Sequence, residues 1–184
     1  MKSMREPEPV AQKHEDALPA NLSPSRLADY NQCPRLFYYK TICKVRTPPT
    51  FATLKGSLAH TAFERTFDYP EGERTPEISA QWVDTAWSEL ISLDPSRSEY
   101  DLEQAAQARK IVPPGTDSEQ ELLQAARSMV SLWFEMERVN NFTPNNLVTP
   151  TGDKIDGREV YVKAQVKNVP MHGYIDRLDA WQGP

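Results

Sequence analysis

Apolar residues recur at helical spacing through most of the chain and alternate with polar ones only near its end. Ser23 followed by Pro24 has the form of an N-cap and first-turn pair, which predicts a short helix through Tyr30. Pro34 restarts a helical turn over 35–42 that carries Phe37, Tyr38 and Tyr39, and Thr47-Pro48-Pro49-Thr50 ends it. A helix over about 53–67 follows, with Leu54, Leu58, Ala62 and Phe63 as its apolar stripe. Thr75-Pro76 opens the next, where Ile78, Trp82, Val83, Ala86, Trp87, Leu90 and Ile91 share a face and the tryptophans read as packing. A shorter helix covers 102–111 and stops at Pro113-Pro114-Gly115. Ser118 and Glu121 have capping-box spacing, and the helix beyond them carries Leu122, Ala125, Ala126, Met129, Val130, Trp133 and Met136.

After Asn140-Asn141 the period becomes two. Val160, Val162, Ala164 and Val166 fall on one face of a strand, with Tyr161, Lys163, Gln165 and Lys167 on the other. Asn168-Val169-Pro170 reads as a turn into a second strand over 171–181. Glu159, at the start of the first strand, reads as a solvated edge residue. The fold class is therefore α+β, a helical body over 21–140 followed by a β-hairpin over 158–181. Two strands alone are marginal, so the sheet is expected to be incomplete. Residues 1–20 are too polar to offset their ordering entropy and read as a disordered tail.

At 184 residues the chain suits one core, and 39% apolar with 26% charged residues suits a folded globular protein. No apolar run approaches the roughly 20 residues of a membrane span. The first residues lack a secretory h-region, which leaves the cytoplasm as the expected location. The net charge of -5 argues against a generic nucleic-acid coat, but the charge is uneven. Residues 21–60 hold six basic groups against Asp29, a local +5, whereas residues 61–138 carry sixteen acids against seven bases. Such a basic stretch can bind a phosphate backbone locally, and a solvated face explains it equally well. Cys33 and Cys43 form neither a disulfide framework nor a CxxC site, and each reads as a small core residue.

Two residues invite chemistry. His60 follows Gly56 by four positions and precedes Glu64 by four, so the three share a helix face. A glycine inside a helix costs about 1 kcal/mol against alanine, which suggests a close approach by a backbone or ligand. His60 is then a metal ligand or, on the helix alone the better reading, a histidine satisfied by Glu64. Asp176 follows Gly173 in an apolar-flanked strand, where a carboxylate needs a partner. Arg177 and Asp179 fall on the opposite face, so Asp176 stands apart, as a cation ligand or as the cap of the next turn.

Ser23-Pro24-Ser25-Arg26-Leu27 with Cys33-Pro34, then Gly56-Ser57-Leu58-Ala59-His60, then Gly173-Tyr174-Ile175-Asp176-Arg177 resemble, in this order, the RecB-family exonucleases of the PD-(D/E)xK nuclease superfamily. The resemblance covers residues 21–184 and implies a restriction-endonuclease-like fold, a mixed sheet flanked by helices. This chain would hold the helical body and the first two strands of that α/β nuclease core. It implies that His60 and Asp176 are catalytic metal ligands for Mg2+ or Mn2+, joined in the family by the acid of a Glu-x-Lys strand. Lys163 and Lys167 do not supply that strand, since neither follows an acid by two residues. The expectation is an N-terminal portion truncated before it, with weak metal binding and no efficient cleavage. The resemblance also makes Cys33 the first ligand of an iron–sulfur cluster, which needs three further cysteines from a longer chain.

The implied function is hydrolysis of DNA in repair or recombination, acting on single-stranded ends, with a helicase as a possible partner and no membrane. Arg26, Arg35, Lys40 and Lys44 are the candidate DNA contacts. The alternative is a non-catalytic DNA-binding or partner-binding module in which Phe37, Tyr38 and Tyr39 stack on bases, although core packing is the preferred reading of those rings. A third reading is a plain helical protein in which His60 and Asp176 have no such role.

Overall fold

The computed structural model describes residues 19–141, 144, 147–148 and 151–179, so the expected tail lies outside the described residues except for 19 and 20. They divide into two units, 19–47 with 163–173 and 48–162 with 174–179.

In the first unit the Ser23 side chain accepts the Arg26 amide and opens α1 (Pro24–Gln32). Pro34 opens α2 (Pro34–Phe37), which widens into a π-helical turn over Tyr38–Ile42. None of these segments buries a residue. Tyr38 and Tyr39 are exposed, so the expected core packing does not form at those two rings. The Lys40 ammonium holds the Asp29 carboxylate at 3.0 Å, tying the turn to α1. Leu22 lies parallel to Met171; its amide donates to the Pro170 carbonyl (3.0 Å) and its carbonyl accepts the His172 amide (2.9 Å).

The second unit is built on four helices. Thr50, Thr75 and Ser98 each accept an amide of the following turn, starting α3 (Phe51–Thr66), α4 (Pro76–Leu90) and α5 (Glu99–Ile111). The fourth, α6 (Asp117–Met136), starts differently from the expected Ser118–Glu121 box. Thr116 is the N-cap, but its hydroxyl donates to the Pro113 carbonyl, and Glu119 takes both the Gly115 amide (2.6 Å) and the Trp87 indole (2.5 Å). That tertiary bond to α4 outweighs a local cap. Leu54, Leu58, Val83, Trp87, Leu122, Ala126 and Val130 form the core among these helices. Buried Thr66 and Ser79 satisfy each other across 2.8 Å. Buried Arg74 donates to the carbonyls of Tyr69 and Val139, and desolvation lowers its pKa.

After a 3-10 turn at Val139–Asn141 come two short antiparallel strands, β1 (Leu147–Val148) and β2 (Lys154–Ile155). Two residues are too few to show a period, which is why they were not legible in the sequence. The hairpin is β3 (Arg158–Val166) and β4 (Val169–Arg177), and it ends at Arg177 rather than at 181, whose residue lies outside the described ones. Its turn is Lys167-Asn168, not Asn168-Val169-Pro170, because Lys167 adopts the left-handed φ of 55° that a two-residue turn requires. Val160 is buried, but Val162 and Val166 are exposed, so the apolar face is covered only at the foot of the hairpin.

Candidate metal centre

Leu54, Leu58 and Ala62 hold α3 to the core and leave His60 on its outer face. The foot of β3 is fixed to the end of the same helix by Arg158. Its Nη1 donates to the Glu64 carbonyl (3.0 Å) and to Asp68 Oδ1 (2.6 Å), while Nε and Nη2 fork onto the Asp156 carboxylate. The Asp156 and Asp68 hydrogen bonds raise the Arg158 pKa against the opposing effect of burial, and the bond from Arg158 lowers that of Asp156. The next residue, Glu159, is thereby delivered beside His60.

Glu159 has φ of 49°, inside a strand. A non-glycine residue there costs of order 1–3 kcal/mol, which the Arg158 clamp must overcome. The conformation turns Glu159 Oε1 to within 3.6 Å of His60 Nε2, too far for a hydrogen bond, and that oxygen is buried without a partner. With a two-residue turn, and with the Leu178 amide bonded to the Gly157 carbonyl (2.7 Å), Glu159 stands opposite Asp176 and Tyr161 opposite Tyr174. The two tyrosine rings, 5.1 Å apart, agree with this register. Asp176 Oδ2 lies 3.8 Å from His60 Nε2.

One donor atom from each of His60, Glu159 and Asp176 lies within 4.8 Å of the others. Two carboxylates directly across a hairpin repel, and an orphaned buried oxygen costs about 1–3 kcal/mol. A single divalent cation answers both. Its ligand atoms, at about 2.0–2.6 Å from the ion, can stand up to about 5 Å apart. One imidazole and two carboxylates form a donor set that a divalent cation can use. The residues present fit such an ion.

The surrounding cleft has a volume of about 430 Å³ and an aromatic wall, with the Phe63 and Trp133 ring centroids 4.6 Å apart. Arg177 lies 5.2 Å from the Phe67 centroid and is held by Asp179 (3.0 Å) and Glu137 (3.3 Å). The alternation along β4 thus separates Asp176 from its neighbouring cation, as the sequence pattern implied.

Four expectations change. Asp176 is exposed, with 79% of its side-chain surface accessible, so it is singled out by the acid opposite it rather than by desolvation. His60 faces Glu159 and Asp176 instead of pairing with Glu64. Nothing lies within 4 Å of where a Cβ on Gly56 would be, so no close approach explains that glycine. Glu159, read as a solvated edge residue, is the third member of the cluster. The signal was present in the sequence but depended on the turn: a bend at 168–170 puts Asp176 out of register with Glu159, and a bend at Lys167-Asn168 puts the two acids opposite.

Arg26, Arg35, Lys40, Lys44 and Cys33 all belong to the first unit. Cys33 is exposed, not the core thiol expected, and Cys43 is half-buried. Among the described residues no helix is long and apolar enough to cross a membrane.

A family model described as the PD-(D/E)XK nuclease superfamily matches residues 21–184. No curated protein and no solved structure matches the chain significantly.

Proposed function

The chain belongs to the PD-(D/E)XK nuclease superfamily, and on that premise we propose that it is the metal-binding portion of a RecB-type DNA exonuclease, with His60, Glu159 and Asp176 holding Mg2+ or Mn2+. The observation that carries this is the convergence of three donors from α3, β3 and β4, one of them a buried, unpartnered carboxylate oxygen. When bound, such an ion would polarise a phosphoryl oxygen and lower the pKa of a water nucleophile. The chain's own residues supply the rest. His60 would offer a ring nitrogen, Glu159 and Asp176 would balance the ion's charge, and Arg158 holds the strand that carries Glu159. The Phe63 and Trp133 rings wall one side of the cleft from water.

The wider reading is phosphodiester hydrolysis at single-stranded DNA ends, in cytoplasmic repair or recombination, fed by a helicase. Cys33, exposed on the first unit, would be one ligand of an iron–sulfur cluster only if a longer chain supplied three further cysteines.

Calorimetric titration with Mn2+ tests the centre. One site is expected, and His60→Ala, Asp176→Ala or Glu159→Gln should each weaken it by at least the about 10–100-fold typical of losing even an outer-shell partner. Binding unchanged in all three variants, with unchanged circular dichroism, would sink the assignment.

A further inference from the structure

Each strand of the hairpin reaches the helical body through an arginine. In β3 that residue is Arg158, helped by buried Val160. β4 buries no residue, and Arg177 is its last one. The Arg177 guanidinium meets the Glu137 carboxylate at 3.3 Å and the Asp179 carboxylate at 3.0 Å, and lies 5.2 Å from the Phe67 ring centroid. Glu137 is the C-cap of α6, and Phe67 is the C-cap of α3, the helix that carries His60. Arg74, buried and bonded to the Val139 carbonyl, lies 4.9 Å from the same ring. Arg177 therefore ties the end of β4 to a node at which both helices stop.

Asp176, the preceding residue, has little else to fix it. Its side chain is 79% accessible, and its ion-pair partner among the described residues is His60, at 3.8 Å. Two strands without a covering layer are marginal, and strand ends fray first. The register that sets Glu159 opposite Asp176 also sets Arg158 opposite Arg177. Two cations so placed repel unless each is engaged elsewhere. Asp156 and Asp68 engage Arg158, while Glu137 and Asp179 engage Arg177. We infer that Arg177 is a positioning residue of the metal centre: held by Glu137 and Phe67, it keeps the end of β4 where the Asp176 carboxylate can share a cation with His60 and Glu159. This role rests on the metal-centre reading above. Exposed ion pairs stabilise a fold little, so the effect falls on the placement of Asp176 more than on overall stability.

The test is a double-mutant cycle on the whole chain, read by calorimetric titration with Mn2+. Arg177→Ala should weaken Mn2+ binding about tenfold, the lower end of what loss of an outer-shell partner costs. In an Asp176→Ala background the same change should have no further effect, because the carboxylate it positions is gone. Glu137→Gln, which keeps the arginine, should weaken binding less and should likewise be silent once Asp176 is removed. Water-proton relaxation of the bound Mn2+ gives a second readout: Arg177→Ala should add a coordinated water, as Asp176→Ala does. A merely structural role moves neither the coupling nor the water count. Unchanged affinity or an unchanged water count in Arg177→Ala, or an equal loss with and without Asp176, would overturn the inference. Should Arg177→Ala fail to fold, Glu137→Gln decides by the same comparisons. If Asp176→Ala leaves Mn2+ binding intact, the metal centre itself falls and this role with it. Loss through Asp176 without loss through Arg177 removes only the positioning role.

Discussion

The two units make opposite use of their residues. Every buried residue among those described lies in the second unit, whereas α1, α2 and the π-helical turn of the first bury none. Charge divides along the same line. The first unit has seven basic residues against one acid, and the second has eleven against twenty-one. The difference teaches that an acidic overall composition does not decide what an individual surface can bind. The acidic unit invests its apolar residues in a core, and that core brings donor atoms of three side chains within 4.8 Å of one another. The basic unit leaves aromatic rings in solvent, where they can meet a partner.

The comparison breaks most visibly under large-to-small substitution. Leu122 is fully buried between α6 and its neighbours, so Leu122→Ala should cost about 2–5 kcal/mol in urea unfolding. Leu27→Ala, at a residue 40% exposed in the first unit, should cost much less. Equal losses would mean that the first unit depends on its apolar side chains for folding as much as the second depends on its core.

A smaller effect has an unusual sign. In metal-free protein Glu159→Gln removes one of two carboxylates facing each other across the hairpin, and like charges so placed destabilise by roughly 0.2–1 kcal/mol. The variant should therefore unfold at slightly higher temperature than the wild type in EDTA and at lower temperature with Mn2+ present. A loss of stability under both conditions would show that Glu159 serves packing rather than cation binding.

The smallest effect concerns pH. The Arg158 hydrogen bond holds the Asp156 pKa below its ordinary value. A depressed carboxylate pKa contributes stability above the unfolded-state pKa and loses it as pH falls through the folded one. The foot of β3 should thus loosen below about pH 4, modestly, since solvent screens a half-exposed pair. Amide hydrogen exchange at Val160, corrected for its intrinsic rate, should rise in acid, and Asp156→Asn should raise it at neutral pH. Exchange indifferent to both changes would remove Asp156 from the clamp.

Local chemistry was legible in the chain wherever a few adjacent residues decide the outcome. Ser23-Pro24 and Thr75-Pro76 mark helix starts because a hydroxyl cap and a fixed φ act within one turn. Apolar periodicity located α3, α4 and α6 and most of the core, because a face repeated over several turns leaves one way to bury it. The alternation along β4 set Asp176 apart from Arg177 for the same reason. The family resemblance marked His60 and Asp176 before either had a known neighbour.

What lay outside local chemistry needed the folded molecule. The cap of α6 depends on Glu119 meeting Trp87 of a helix distant in sequence. The turn at Lys167-Asn168 depends on a left-handed lysine that no propensity favours, and a shift of one residue there decides which acids oppose each other. The place of Glu159 depends on Arg158 reaching α3, ninety-four positions earlier, to hold a strained backbone. The sequence alone determined the main helices and the hairpin, the apolar faces of those helices and two of the three candidate ligands. Tertiary structure decided the third ligand, the strain that aims it and the exposure of the basic unit's rings, because each is set by contacts between segments that no local pattern can encode.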